Sequence, residues 1–153
     1  MLEIFKRWSE DRSAAREEKR QHQEQRVAEQ EAYEARLVKA ASVSSVTFVC
    51  HKDTWDFIDG QARQNLSYRQ PSTEDQPGNM VKVHISGPNL VTILIVMGRL
   101  SGSPWTYVGN KAIATRVYDA ASEIVDAVDP SRNSGTPLPP IVIDAEIAPP
   151  DET

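Results

Sequence analysis

Cys50 and His51 form the only grouping in this chain whose residue types suit nucleophilic or metal chemistry, with Asp53 nearby and His84 elsewhere. A thiol acts as a nucleophile when a neighbouring histidine takes its proton. Adjacent residues of a β-strand, however, point to opposite faces, so Cys50 and His51 should not act together. We therefore expect a buried cysteine and an exposed His84. The sequence predicts no catalytic residue and no metal site.

A glycine-bounded segment, GSPWTYVGNK at residues 102–111, precedes a predicted helix and has some features of a phosphate-binding loop. Its spacing differs from the P-loop pattern, and no Ser or Thr follows Lys111. We interpret the segment as a helix capped by Asn110, preceded by a loop in which Trp105 and Tyr107 pack. It predicts no nucleotide or other cofactor.

Two further groups of residues have simpler structural interpretations than a binding site. Asp53, Asp56 and Asp59 have the spacing of a solvated helix face, and their charges favour a helix N-terminus. The segment Thr136–Pro140, TPLPP, resembles an SH3-type ligand, but a stiff spacer is the more frequent explanation. Neither group predicts a cofactor or a metal.

The charge is distributed unevenly along the chain. Residues 1–40 carry nine Lys+Arg and nine Asp+Glu, and the rest carries eight and thirteen, which accounts for the net charge of −5. An acidic body does not favour polyanion binding. The single Cys50 excludes an intramolecular disulfide and fits a reducing compartment. The longest apolar run, Leu90–Met97, is far shorter than the roughly 20 residues that span a bilayer, so we predict a cytoplasmic protein without a membrane span.

Residues 1–42 predict a long charged helix, because they are rich in Glu, Gln, Arg, Lys and Ala and contain no Pro or Gly. Apolar residues are concentrated near its two ends, with a polar stretch between them. We expect both groups to bind a partner. The first comprises Leu2, Ile4, Phe5 and Trp8, and the second comprises Val27, Ala28, Ala32, Ala35, Leu37 and Val38.

The remaining sequence predicts strands at residues 46–50, 80–86, 90–97 and 141–147, with helices near 53–66 and 110–129. Strand 80–86 alternates cleanly between apolar and polar residues, whereas 90–97 is almost entirely apolar. The predicted organisation is a charged helical arm (1–42), an α/β body (43–129), a Pro-rich linker (130–140), an edge or exchanged strand (141–148) and a loose tail (149–153).

The element order β-α-β-β-α-β predicts an α+β fold, in which the long N-terminal helix precedes a small ferredoxin-like (split βαβ) domain with an antiparallel sheet. In that topology the first and third strands are central, so strands 46–50 and 90–97 should be apolar on both faces. Something must then cover the second face, because large bare apolar patches are rare on monomers. The strand at 141–147 pairs either within its own chain or with a neighbouring subunit.

We therefore predict a non-enzymatic interaction or assembly protein. Its α/β body would oligomerise or dock on a protein partner, and its N-terminal helix would contact a partner through the apolar groups. The alternative is a nucleic-acid-associated accessory protein that uses Arg12, Arg16, Lys19 and Arg20, which lie on roughly one side of the helix. The interleaved Glu17, Glu18 and Glu24 weaken that alternative.

Overall fold

The computed structural model describes residues 1–132 and 137–146. It divides the chain into two compact units, one comprising Met1–Ala35 and the other beginning at Arg36. The predicted tail at 149–153, the end of the predicted last strand at 147–148 and part of the predicted linker at 133–136 lie outside the described residues.

Helix α1 runs without interruption over Leu2–Ser42, so the predicted long N-terminal helix is confirmed. Nearly all of its residues have high helix propensity, and neither Pro nor Gly interrupts it. Up to Ala35 its side chains are exposed, apart from a half-buried Tyr33. The last turns belong to the second unit, where Ala40 is fully buried in the core.

Four strands form one sheet in the order β2-β3-β1-β4. The strands are β1 (Ser45–His51), β2 (Thr73–Gln76), β3 (Met80–Ser86) and β4 (Ile141–Val142). Strand β3 pairs antiparallel with both β1 and β2, whereas β4 pairs parallel with β1. Because β4 pairs with β1 of its own chain, the segment at 141–142 occupies an edge of this sheet.

The hairpin of the sheet joins β2 to β3 through a short 3-10 turn at Pro77–Asn79. Gly78 and Asn79 both have positive φ, at 75° and 58°. Turns with two such residues match the right-handed twist of an antiparallel pair, and Gly and Asn tolerate this conformation best. The predicted strand at 90–97 therefore does not follow β3 in the sheet, because the hairpin partner of β3 is β2, which precedes it in the chain.

Three helices, α2 (Lys52–Ala62), α3 (Gly87–Gly102) and α4 (Val108–Asp126), pack with one face of the sheet in the core. Along β1 and β3, every second side chain is buried, as the alternation in 80–86 predicted. The core also includes Ala40 from the last turn of α1 and Val43, which follows that helix. Its largest fully buried side chains include Phe48, Ile58, Ile85, Leu90, Ile93, Leu94, Met97 and Ile141.

The predicted strand at 90–97 is a helix, the middle of α3. The helix begins after Ser86, whose hydroxyl accepts a hydrogen bond from the Asn89 backbone N–H at 3.3 Å, with Pro88 in the first turn. Six of the eight residues from Leu90 to Met97 are buried and the other two are half-buried. A helix that packs on several sides is apolar all round and loses its amphipathic period, so periodicity cannot distinguish it from a buried strand.

The α+β class is therefore confirmed, while the ferredoxin-like topology is not. The chain passes through two helices, α3 and α4, between β3 and β4. A second helix returns the chain to the opposite end of the sheet, so β4 runs parallel to β1 and the sheet is mixed. The prediction of an antiparallel sheet is wrong at this strand.

The second face of the sheet is mostly polar and partly exposed rather than apolar throughout. On the two central strands it presents an exposed His84 and half-buried Thr47 and Lys82, together with the half-buried apolar side chains of Val49 and Met80. The expectation that the central strands are apolar on both faces is wrong, because the all-apolar segment became α3. The argument that a subunit or a helix must cover this face no longer holds.

Candidate functional site

Cys50 and His51 lie on opposite faces of β1, as predicted from their adjacency. The Cys50 thiol is fully buried, and this burial, with a smaller contribution from Asp144, raises its pKa to about 12. The Nδ1 atom of His51 accepts a hydrogen bond from the Asp53 backbone N–H at 3.1 Å and so caps α2. Asp53 itself lies in the first turn of that helix, where its charge is favourable. The arrangement favours structural roles for Cys50 and His51.

His84 is exposed on β3, where its ring Nδ1 lies 3.5 Å from the Thr47 hydroxyl and its Nε2 lies 3.7 Å from a Glu74 carboxylate oxygen. Neither neighbour encloses the ring. Within residues 1–132 and 137–146, no group of three or more His, Cys, Asp or Glu side chains is placed to hold a metal ion.

Asp59 is buried, although its spacing with Asp53 and Asp56 suggested a solvated face. Its carboxylate accepts a hydrogen bond from the Tyr68 hydroxyl at 2.8 Å and forms an ion pair with Arg63 at 2.6 Å. Burial, followed by the hydrogen bond to Asp59, raises the pKa of Tyr68 well above its ordinary value. These contacts attach the segment after α2 to that helix, which is a structural role.

The first predicted partner-binding group lies on one side of α1 and is open to solvent. Leu2, Ile4, Phe5 and Trp8 have 88%, 74%, 69% and 56% of their surface exposed. Soluble proteins seldom expose large apolar side chains in such a cluster without a partner. We call these four residues the apolar tip. The guanidinium of Arg12 lies 3.7 Å from the centroid of the Trp8 ring, a cation–π contact that continues the same side of the helix.

The second predicted group does not form a single surface. Ala28, Ala32 and Ala35 are exposed and share one side of α1, whereas Leu37 lies on another side, as the helical period of 3.6 residues requires. Leu37 is half-buried and packs against the core of the second unit. Val27 and Val38 are 52% and 64% exposed.

Three apolar residues outside the predicted partner-binding groups are exposed in the second unit. Trp105, Tyr107 and Val108 have 92%, 72% and 74% of their surface exposed, in the loop between α3 and α4 and at the first residue of α4. We call them the loop cluster. The predicted packing of this loop is wrong, and α4 begins at Val108 after an N-cap at Tyr107, not after Asn110.

The composition around the loop cluster contained a signal that could have identified it. No Asp or Glu occurs between Asp75 and Asp119, so Arg99 and Lys111 flank the cluster without a neighbouring acid in the sequence. The segment 102–104, Gly-Ser-Pro, also favours an irregular loop. An aromatic ring in such a loop has few residues to pack against. Aromatic residues and arginine are enriched at protein interfaces.

No helix among residues 1–132 and 137–146 is both long enough and apolar enough to cross a membrane. Comparisons with known protein families, curated proteins and solved structures found no match for this chain.

Proposed function

We propose that this protein is a non-enzymatic interaction protein that acts through two separate apolar surfaces. The second unit docks on another protein, for which a second copy of the chain is one candidate, through the loop cluster. Helix α1 makes an attachment of its own through the apolar tip. The observation that carries the proposal is the exposure of these two clusters, in which every member has more than half of its surface in solvent.

The loop cluster has the features of an interface centre. Tryptophan and tyrosine contribute most to binding when a partner covers them, because they bury a large area with few rotatable bonds. The Trp105 backbone N–H donates to the Ser103 hydroxyl at 3.2 Å, which orders the loop before any partner arrives. The Tyr107 ring lies close to Gly109, where an added Cβ would come within 2.8 Å of it. Order in the free state lowers the entropic cost of binding.

The interpretation as a non-enzyme rests on the chemistry of the individual residues. The Cys50 thiol has a raised pKa in the core, and the His51 ring already accepts a backbone hydrogen bond. Catalysis needs a base, a group that orients it and a pocket together, and these residues provide no such combination. The single reduced cysteine and the absence of a predicted membrane span favour the cytoplasm as the place of action.

Light scattering on the full chain tests the docking role of the loop cluster. We expect a mass above the 17.1 kDa of one chain, rising with concentration, if the partner is a second copy. Trp105→Ser combined with Tyr107→Ser should lower that mass to one chain. Leu66→Ser is the matched control, because Leu66 is a fully exposed apolar residue that belongs to neither cluster.

A tagged full chain covers the case of a different partner. A protein that co-purifies with the wild type and with Leu66→Ser, and is lost with the Trp105→Ser/Tyr107→Ser variant, supports the proposal. A wild type that stays at one chain over the whole concentration range, with no co-purifying protein that depends on these residues, would overturn it. Circular dichroism and urea unfolding verify that each variant is folded.

A further inference from the structure

Charges on the first part of α1 are separated by helix face. At roughly 100° per residue, the apolar tip occupies a sector about 160° wide. Because the helix is continuous, the position of each later residue in the sequence determines whether its side chain lies within this sector. Five basic residues of the following turns fall within it: Arg12, Arg16, Lys19, Arg20 and Arg26.

The acidic residues of the same stretch all fall outside this sector. The six carboxylates among residues 1–26 belong to Glu3, Glu10, Asp11, Glu17, Glu18 and Glu24. Glu17 and Glu24 form ion pairs with Arg20 at the edge of the sector. Within the part of the chain that the structure describes, no ion pair is formed by Arg12, Arg16 or Lys19. One face of the helix is therefore apolar at its start and cationic over the next turns, which we call the tip-and-basic face.

The chemistry of the tip-and-basic face indicates its partner. Lys and Arg at this spacing attract a continuous anionic surface, and Trp8 and Phe5 need an apolar medium beside it. A bilayer that contains anionic lipid offers both, since aromatic side chains settle at the boundary between headgroups and acyl chains. A nucleic-acid backbone offers phosphates but no adjacent apolar medium in which Phe5 and Trp8 could be buried. A second copy paired through the same face would bring cations against cations in a parallel pair and against the apolar tip in an antiparallel one.

We infer that the tip-and-basic face of α1 binds an anionic membrane surface. Phe5 and Trp8 enter the acyl boundary, and Arg12, Arg16 and Lys19 contact the headgroup phosphates, with the carboxylates turned towards water. Neither element suffices alone, because short apolar anchors and small basic clusters each bind membranes weakly. This inference rests on the proposed function only in that α1 is the attachment element.

Vesicle flotation with the full chain tests the inference. The probe is phosphatidylcholine vesicles with one phosphatidylserine in three lipids, compared with phosphatidylcholine alone. We expect binding to the anionic vesicles that is at least about tenfold stronger than to the neutral ones. Phe5→Ser combined with Trp8→Ser should abolish it, while Leu66→Ser should not change it.

A charge-conserving permutation separates the face from the net charge. Arg16→Glu, Glu17→Arg, Glu18→Lys and Lys19→Glu together leave composition and helix propensity unchanged but place two carboxylates in the tip-and-basic face. We expect the permutation to weaken vesicle binding about tenfold or more. The matched control, Arg16→Lys with Lys19→Arg, keeps each charge in place and should bind like the wild type. Equal binding by the permuted chain and the wild type would overturn the inference.

Three outcomes separate the competing partners. Absence of binding to anionic vesicles overturns the membrane inference. A DNA duplex that is shifted equally by the wild type and the Phe5→Ser/Trp8→Ser variant, without vesicle binding, assigns the basic residues to nucleic acid. A protein that is lost from co-purification with the Phe5→Ser/Trp8→Ser variant, again without vesicle binding, leaves the proposed function intact and removes only the lipid.

Discussion

Arg36 connects the last turns of α1 to α4 through a group of charge-assisted hydrogen bonds. Its Nε and one terminal nitrogen donate to the two carboxylate oxygens of Asp126, each at 2.8 Å, and its other terminal nitrogen donates to the Tyr118 hydroxyl at 2.8 Å. Lys39 adds a hydrogen bond to the Asp126 carbonyl at 3.0 Å. The hydrogen bond from Arg36 is the main cause that lowers the pKa of Asp126.

Arg36→Ala should lower the free energy of unfolding at neutral pH by about 1 kcal/mol, since Asp126 is half exposed and solvent screens the pair. A carboxylate whose pKa is lowered by folding stabilises the protein above its unfolded pKa of 3.8. This contribution is lost as the pH falls through the lower folded value. The stability difference between wild type and variant should therefore be full at pH 7 and shrink below pH 3.8.

Urea unfolding across this pH range measures the effect. Arg20→Ala is the control, because Arg20 pairs with Glu17 and Glu24 of its own exposed helix and should change stability by no more than about 0.5 kcal/mol. An Arg36→Ala effect that persists unchanged in acid would show that the ion pair does not stabilise the fold.

The Cys50 thiol should resist alkylation in the folded protein. Its burial raises the pKa to about 12, so little thiolate forms at pH 8 and reagents reach it poorly. We expect labelling by a maleimide to be at least about a hundredfold slower in buffer than in denaturant. Ser9→Cys on exposed α1 provides the rapid reference, and equal labelling rates at the two positions would contradict the burial of Cys50.

At the level of elements, replacing glycine by alanine should change the stability of the protein in opposite directions at two helical positions. A Cβ on Gly87 would lie 2.2 Å from the Val43 carbonyl oxygen and about 3 Å from those of Ala40 and Ala41. The end of α1 and the start of α3 therefore approach closely only because residue 87 lacks a side chain. Gly60 has no atom within 4 Å of its would-be Cβ and is exposed in α2.

Gly87→Ala should destabilise the protein by about 2 kcal/mol, because backbone atoms must move. Gly60→Ala should stabilise it by roughly 0.5 kcal/mol, since alanine has the higher helix propensity. Thermal unfolding of the two variants and the wild type measures both changes in stability. Similar changes for the two substitutions would contradict the close packing at residue 87.

Local patterns identified the elements that have one buried side. Strand β3 alternates and buries Val81, Val83 and Ile85, and α2 buries Trp55, Ile58 and Ala62 at helical spacing. The pattern was misleading at Leu66, which continues the spacing but lies beyond the end of α2 and is fully exposed. Where an element is covered on several sides, as α3 is, every position is apolar and no period remains.

For the whole molecule, only one of the two candidate surfaces could be identified from the sequence. The apolar tip was identified because the surrounding charged residues leave Leu2, Ile4, Phe5 and Trp8 nothing local to pack against. The loop cluster was missed, because aromatic residues in a loop are ordinarily expected to pack. Exposure of Trp105 depends on where α3 ends and α4 begins.

The sequence by itself determined the long N-terminal helix, the first central strand and the α+β class. These follow from propensity and short-range alternation, which involve residues close together in the chain. Only the tertiary structure decided that Leu90–Met97 is helical, that the second sheet face is mostly polar and that the loop cluster is open to solvent. Those properties depend on how many neighbours surround an element, and the neighbours come from distant parts of the chain.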